Sequence, residues 1–324
     1  MKSMFGLSHL WLMFVLGLQA GAAPALEPLR LLAEQVSPHV YYFRGQSGMA
    51  SAGNQGFMSN AGFVVTGDGV IVFDALATPV LGEAMVKAIR SVTAEPIRRV
   101  IVSHYHADHF YGLQAFKAQG AEIWAHENAQ AYLQSDQAVE RLAQRRDALA
   151  PWVNAQTRLV AADRWLSFNL GKAISFAMGG LHFRVIDSSG AHSNDDIMLA
   201  VDEDAVLFAG DLFFTGRIPF VGDADSKAWL GALERILEVQ PKFVVPGHGR
   251  VSTAPLQDMQ LTREYLNYLR QQMGAAVADM ENFDAAYAKV DWRRYEKLPA
   301  FDAANRVNAY GTYILMEKES LQKN

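Results

Sequence analysis

The chain has 324 residues, enough for one large domain or two ordinary ones. Half of its residues are hydrophobic and 19% are charged, which is globular composition and excludes a disordered or fibrous chain. The formal charge of -5 leaves no basic footprint for nucleic acid, and zero cysteines exclude disulfides, thiolate ligands and thiol nucleophiles.

Lys2 precedes the apolar run Leu10 to Leu18, and small residues with Ala-x-Ala spacing follow from Ala20 to Ala25. That order predicts a secretory signal peptide over 1–25, cleaved near 22–25. The apolar core is shorter than the roughly 20 residues that a membrane-spanning helix needs. The expected mature protein is periplasmic or secreted, with no stable membrane insertion after cleavage. Its expected divisions are a main domain over 26–255 and a helical C-terminal extension over 256–324.

Val40 to Phe43 reads as the first strand. Residues 45–60 form a long Gly-, Ser-, Ala- and Asn-rich stretch carrying Met49, Phe57 and Met58. Long irregular loops in compact domains are usually functional or disordered, so this one reads as a mobile flap with apolar tips or as a wide hairpin loop. Gly62 to Thr66 and Val70 to Asp74 read as a hairpin around Gly67-Asp68-Gly69. Asp74 ends its strand, either as a carboxylate that orients a ligand histidine or as a plain turn residue. Apolar residues at helical spacing predict a helix over 79–92.

Arg99 to Ser103 reads as a buried strand, and His104-Tyr105-His106-Ala107-Asp108-His109 follows it. Three of the chain's nine histidines fall within these six positions. Imidazole and carboxylate are ligands for zinc, iron and similar ions. On an extended stretch His104 and His106 point the same way and can hold one ion. Asp108 and His109 come as the chain turns and can hold a second.

Glu122 to Ala125 reads as a strand and 128–150 as a charged helical stretch, with Arg141, Arg145 and Arg146 on a solvated face. Trp152 reads as a packing residue or a wall of the site. Strands follow over 181–186, 197–201 and 206–209, then an amphipathic helix over 225–239 and a short strand over 243–246. His192, Asp211 and His248 each stand where a strand gives way to a loop, the usual place for ligands in open sheets.

The order His-x-His-x-Asp-His, loop His192, Ala209-Gly210-Asp211 and Pro246-Gly247-His248-Gly249 resembles the metallo-β-lactamase superfamily over roughly 38–253. That resemblance implies an α/β fold, the four-layer αββα sandwich. It implies that His104, His106 and His192 hold a first metal, that Asp108, His109 and His248 hold a second, and that Asp211 bridges both. An aspartate at 211 looks like the glyoxalase II, ribonuclease Z and lactonase branches. The run Gly210 to Phe220 is similar to exported hydrolases associated with quinoproteins and sulfur oxidation. The 83 positions between His109 and His192 depart from compact glyoxalase II.

The expected activity is therefore that of a hydrolase with two Zn²⁺ per chain. A bridging hydroxide would attack an ester, lactone, thioester or amide in a small-molecule substrate, and Asp108 would orient it. Phe213, Phe214, Met58 and Trp152 are candidate apolar walls. Arg217 is either an anchor for an anionic substrate group or a surface cation. The alternatives are a periplasmic β-lactam hydrolase, a mononuclear iron persulfide dioxygenase and a non-catalytic quinone- or metal-binding protein. The sequence leaves the oligomeric state open.

Overall fold

The structure is a computed structural model that describes residues 27–169 and 173–322; the signal peptide expected over 1–25 lies outside them. The first half contributes β1 (Glu34–Gln35), β2 (Val40–Phe43), β3 (Ala61–Val65), β4 (Val70–Phe73), α1 (Pro79–Val92), β5 (Ile97–Ile101), α2 (Ala107–Phe110), α3 (Leu113–Ala118), β6 (Glu122–His126), α4 (Ala129–Leu133), α5 (Asp136–Ala148) and β7 (Arg164–Leu166). The second contributes β8 (Ile174–Met178), β9 (Leu181–Asp187), β10 (Ile197–Val201), β11 (Val206–Phe214), α6 (Ser226–Glu238) and β12 (Phe243–His248). The helices α7 (Pro255–Asp258), α8 (Gln260–Ala278), α9 (Phe283–Lys289) and α10 (Phe301–Gln322) follow.

Seven strands form the first sheet in sequence order, antiparallel through β4 and parallel from β4 to β7. Five form the second, in the order β12-β11-β10-β9-β8, with only β11 and β12 parallel. Helices supply the crossovers that parallel neighbours require. Strand alternation then decides what each face meets. Val70 and Val72 of β4 pack outward with Leu81, Met85 and Ile89 of α1, whereas Ile71 and Phe73 pack inward with Phe183, Leu199 and Phe208 of the second sheet. The outer face of the second sheet packs on Trp229, Leu233 and Ile236 of α6. Helix layer, two sheets and helix layer make the αββα sandwich that the resemblance implied.

Several ends follow from local chemistry. Thr78 caps α1 by accepting from the Leu81 N–H, and Pro79 starts the helix where no N–H is needed. The helical stretch expected over 128–150 is two helices, because the Ser135 hydroxyl leaves the first and caps the second at Ala138 N. β11 does not stop at Ala209. Gly210 adopts φ +53°, the chain bends, and pairing resumes as far as Phe214 opposite His248. Asp211 is thus held inside a strand rather than in a loop.

The C-terminal helices share a core with α6: Tyr265, Leu269 and Tyr313 belong to the same buried cluster as Trp229. No described helix is long and apolar enough to cross a membrane. Buried Asn308 on α10 accepts from Val221 N and Gly222 N and donates to Pro219 O and Tyr265 Oη. Its amide therefore fastens the loop that leaves β11. Asn308→Ala would strand these partners, so we expect a loss of about 2–4 kcal/mol, read as a lower denaturant midpoint with unchanged slope.

Candidate metal centre

β5 delivers His104 and His106 just past its carboxyl end, α2 carries Asp108 and His109 in one turn, the β9–β10 loop carries His192, β11 carries Asp211, and β12 ends on His248. The seven side chains form two groups, His104, His106, His192 and Asp211 in one and Asp108, His109 and His248 in the other. In each group one ligand atom per residue lies within 4.8 Å of the rest. The chain thus brings the seven candidate side chains together, with Asp211 grouped beside His104, His106 and His192.

Asp211 joins the sets. Its Oδ1 stands 3.2 Å from His109 Nε2 and 3.3 Å from His248 Nε2, while its Oδ2 stands 3.5 Å from His192 Nε2. Asp108 Oδ2 is 3.6 Å from His109 Nε2 and 3.4 Å from His248 Nε2. His106 turns Nδ1 inward, 3.0 Å from His192 Nε2. Gly247 makes room for this packing, since a Cβ there would lie 2.0 Å from Asp211 Oδ1.

Hydrogen bonds on the outward ring nitrogens decide which atoms face the centre. Asp74 accepts from Ser103 N at 2.7 Å and from the Ser103 hydroxyl at 2.8 Å. With its proton given to Asp74, Ser103 Oγ accepts from His104 Nδ1 at 2.9 Å. Asp74 also accepts from His109 Nδ1 at 2.8 Å. One carboxylate therefore sets the tautomer of a histidine in each set and leaves both Nε2 atoms with lone pairs turned inward. This settles Asp74 as an orienting residue. It sits at φ +64°, a left-handed conformation that aspartate tolerates, held by its N–H on Ile101 O at 3.0 Å. His248 Nδ1 donates to Met58 O at 2.8 Å, so its Nε2 is likewise free to ligate.

The donor set fits divalent cations. His104 Nε2, His109 Nε2 and Asp211 Oδ1 are buried and have no hydrogen-bond partner. Buried polar atoms are normally satisfied, and a shared cation satisfies lone pairs that converge without protons between them.

The protonation states differ between the sets. Burial holds His104 well below the usual histidine range and lowers His192 to about 3, so both are ready to ligate without losing a proton. Burial also opposes charge on His109, but Asp211, Asp108 and Asp74 outweigh it and hold His109 well above the usual range. Burial would likewise raise Asp211 and Asp108, yet the facing His248 and His109 keep both low.

The carboxylates that would draw a second ion also draw a proton to His109, so ion and proton compete for the same imidazole. Raised affinity for that proton means stronger competition as pH falls, whereas His104 and His192 stay neutral. On acidification from pH 8 to 5 the second-set metal is expected to leave first. Proton release on rebinding should accompany that metal. Simultaneous loss of both metals in a pH-stepped dialysis would contradict this order.

The expected walls divide. Phe214 stacks on His248, rings 5.1 Å apart and 7° from parallel. Phe213 is buried in the core behind the second sheet. Trp152 packs inward and donates from Nε1 to Ala52 O at 2.7 Å, which pins the 45–60 loop. Of that loop's apolar residues Met49 is exposed, but Met58, whose carbonyl accepts from His248 Nδ1, is buried, and Phe57, whose backbone bonds within the loop, is half-buried. The apolar-tipped flap is therefore corrected to a fastened loop with one exposed methionine. Of the two readings of Arg217 the surface cation is corrected: the side chain is buried, 2% exposed, with no carboxylate among the described residues within salt-bridge distance. Its Nη1 lies 3.3 Å from His248 Nδ1.

Four supporting groups escaped the sequence reading. Asp195 Oδ2 accepts from Tyr105 N at 2.8 Å, between the two leading histidines, and Trp229 meets His192 edge-on at 5.0 Å. Asn60 braces the strand end that carries His248, and Ser59 braces the helical turn that carries Asp108. Only the Ser-Asn pair before a strand hinted at these contacts, and nothing local named the partners.

The family model of the metallo-beta-lactamase superfamily matches residues 54–248. A metallo-beta-lactamase type 2 of Elizabethkingia meningoseptica is 24% identical over 216 residues, 64% of this chain and 77% of that protein. A probable metallo-hydrolase of Bacillus subtilis (strain 168) is 26% identical over 220 residues, 59% and 67% of the two chains. The beta-lactamase-like protein 2 homolog of Drosophila melanogaster is 31% identical over 99 residues, 30% of this chain, and the match spans only 32% of the fly protein's length. Among solved structures, an inverting sec-alkylsulfatase from Pseudomonas sp. superposes with TM-score 0.67 at 18% identity, over 87% of this chain and 50% of that one. A metallo-beta-lactamase from Pontibacter korlensis gives 0.56 at 21%, over 73% and 99%. The structural likenesses speak for the fold. The family match across more than half of the sequence establishes that the chain belongs to the metallo-beta-lactamase superfamily.

Proposed function

We propose that this chain is an exported dinuclear zinc hydrolase that cleaves an ester, lactone, thioester or amide bond in a small molecule. The observation that carries the reading is Asp211, whose two carboxylate oxygens face two different histidine sets. Two divalent ions held there would supply a nucleophile at neutral pH and polarise the oxygen of the bond to be cleaved.

The chain's own part is to hold, orient and shield. His104, His106, His192 and Asp211 would bind the first ion, and Asp108, His109, His248 and Asp211 the second. His106 and Asp108 are the only ligands that reach toward solvent, with the Asp108 side chain 13% exposed and His109 at 0%. Substrate therefore meets the centre on their side. Asp108 projects a carboxylate there, held ionised by His109 and His248, and orients the attacking group through a hydrogen bond. The remaining ligands are buried, so bulk water is excluded behind the reacting bond. The signal-peptide pattern over 1–25 supports export to a periplasm or the medium.

The deciding experiment is metal stoichiometry of protein purified without added metal, combined with a hydrolysis screen of esters, lactones, thioesters and β-lactams. Two zinc per chain and turnover of one substrate class are expected. One iron per chain with oxygen consumption would replace this reading with a dioxygenase, and full metal loading without turnover would replace it with a binding protein.

A further inference from the structure

Residues 58–60 touch the centre in a one-sided way. Met58 O accepts from His248 Nδ1 at 2.8 Å, and the Ser59 hydroxyl donates to the carbonyl of Asp108. Asn60 does most. Its Nδ2 donates to Pro246 O and to Gly249 O, both at 2.8 Å, and its backbone N–H donates to Gly247 O at 2.6 Å. Three carbonyls around His248 are therefore held by one residue. Asn60 Oδ1 accepts from Gly45 N at 3.0 Å, so the side chain is fully used, and it is 2% exposed. The two facing carbonyls fix the amide orientation, because only the NH₂ end can satisfy both.

At the centre these contacts fall on Asp108, on His248 and on the three carbonyls beside His248, and among the described residues no hydrogen bond runs from 58–60 to His104, His106, His192 or Asp211. Asp74 is the opposite case, since it supports a histidine in each set. The two supports thus separate what acts on both ions from what acts on one. Asn60 also lies on β3's approach in the first sheet, whereas Pro246 to Gly249 end the second sheet. Its amide ties the two sheets together beside the second position.

We propose that Asn60 is a positioning residue for the second metal alone, holding the 246–249 turn so that His248 Nε2 stays aimed at the ion, with Ser59 doing the same for Asp108. The inference rests on the dinuclear reading above. Through Gly45 the same amide ties the second position to the start of the 45–60 loop, so a ligand that moves the loop's exposed tip would act on the second ion and spare the first.

The test is chelator competition on zinc-loaded full-length protein, with bound zinc counted at each chelator strength, and thermal unfolding of the same proteins in excess chelator. Wild type should release its zinc in two steps. Asn60→Ala and Asn60→Asp should weaken the second step about tenfold or more and leave the first in place. The aspartate keeps an acceptor for Gly45 but sets a carboxylate against two carbonyls, so it should do no better than alanine. Ser59→Ala, which removes one hydroxyl and spares the fold, should move the second step in the same direction by less. Unfolding of the zinc-free proteins reads any general loss of stability separately. Equal weakening of both steps, or an unmoved second step in Ser59→Ala and every Asn60 variant that folds, overturns the inference while leaving the dinuclear reading intact. A single zinc in wild type overturns both.

Discussion

Asp211→Asn is expected to reduce bound zinc from two per chain to one and to lower turnover on the order of a hundredfold or more, because one of two cooperating ions is lost. The aspartate presents Oδ1 to His109 and His248 and Oδ2 to His192, so in the dinuclear reading each oxygen would serve a different ion. An amide offers one acceptor oxygen, and its NH₂ group has no lone pair to give. It also removes the anion that lies between two dications, whose repulsion is only weakly screened in a buried site. The retained ion should be the first, which keeps His104, His106 and His192. Isosteric size makes folding of the variant secure, so zinc analysis is interpretable. Two tightly held ions and near-normal turnover in Asp211→Asn would show that Asp211 does not bridge.

Asp74→Ala should do something different: weaken both ions together, by roughly 10–100-fold each, as removal of an outer hydrogen-bond partner commonly does. The carboxylate holds Ser103 N, the Ser103 hydroxyl and His109 Nδ1, and through Ser103 it fixes His104. Alanine leaves these buried donors without an acceptor, at about 1–3 kcal/mol for each such group. The metal-free protein should therefore also unfold earlier. Asp74→Asn retains the shape but can direct a donor at His109 Nδ1, favouring the tautomer whose proton faces the ion. It should spare stability better than alanine and still lower affinity. Unchanged zinc affinity in both variants, read by chelator competition, would remove Asp74 from its orienting role.

The legible parts of this chain were those with short-range signatures. Thr78-Pro79 and a regular apolar stripe mark α1 at both ends, and the strands β4 and β10 stand out as apolar runs between turns. The seven candidate ligands were legible through the His104 to His109 run and through the resemblance, which joined His192, Asp211 and His248 to it. What stayed hidden depends on distance along the chain. Asn60 meets Pro246 across 186 positions, and Asp195 meets Tyr105 across 90. No period or local pattern encodes such pairs. The extension of β11 past Ala209 was hidden for another reason: Gly210 normally argues for a turn, but here its positive φ allows a bend inside a pairing strand. Arg217 misled by type, since arginine is seldom buried without a carboxylate.

Neither sheet owns a complete cage. The first supplies His104, His106, Asp108 and His109; the second supplies His192, Asp211 and His248. Each of the two sets draws on both. A chain whose halves have not docked offers the 104–109 run alone and completes neither set. A complete cage for either ion therefore exists only where the two sheets have closed on each other. An arriving cation would then meet a cage of settled size and ligand spacing rather than a flexible histidine run, and such a cage discriminates between ions by geometry as well as by affinity.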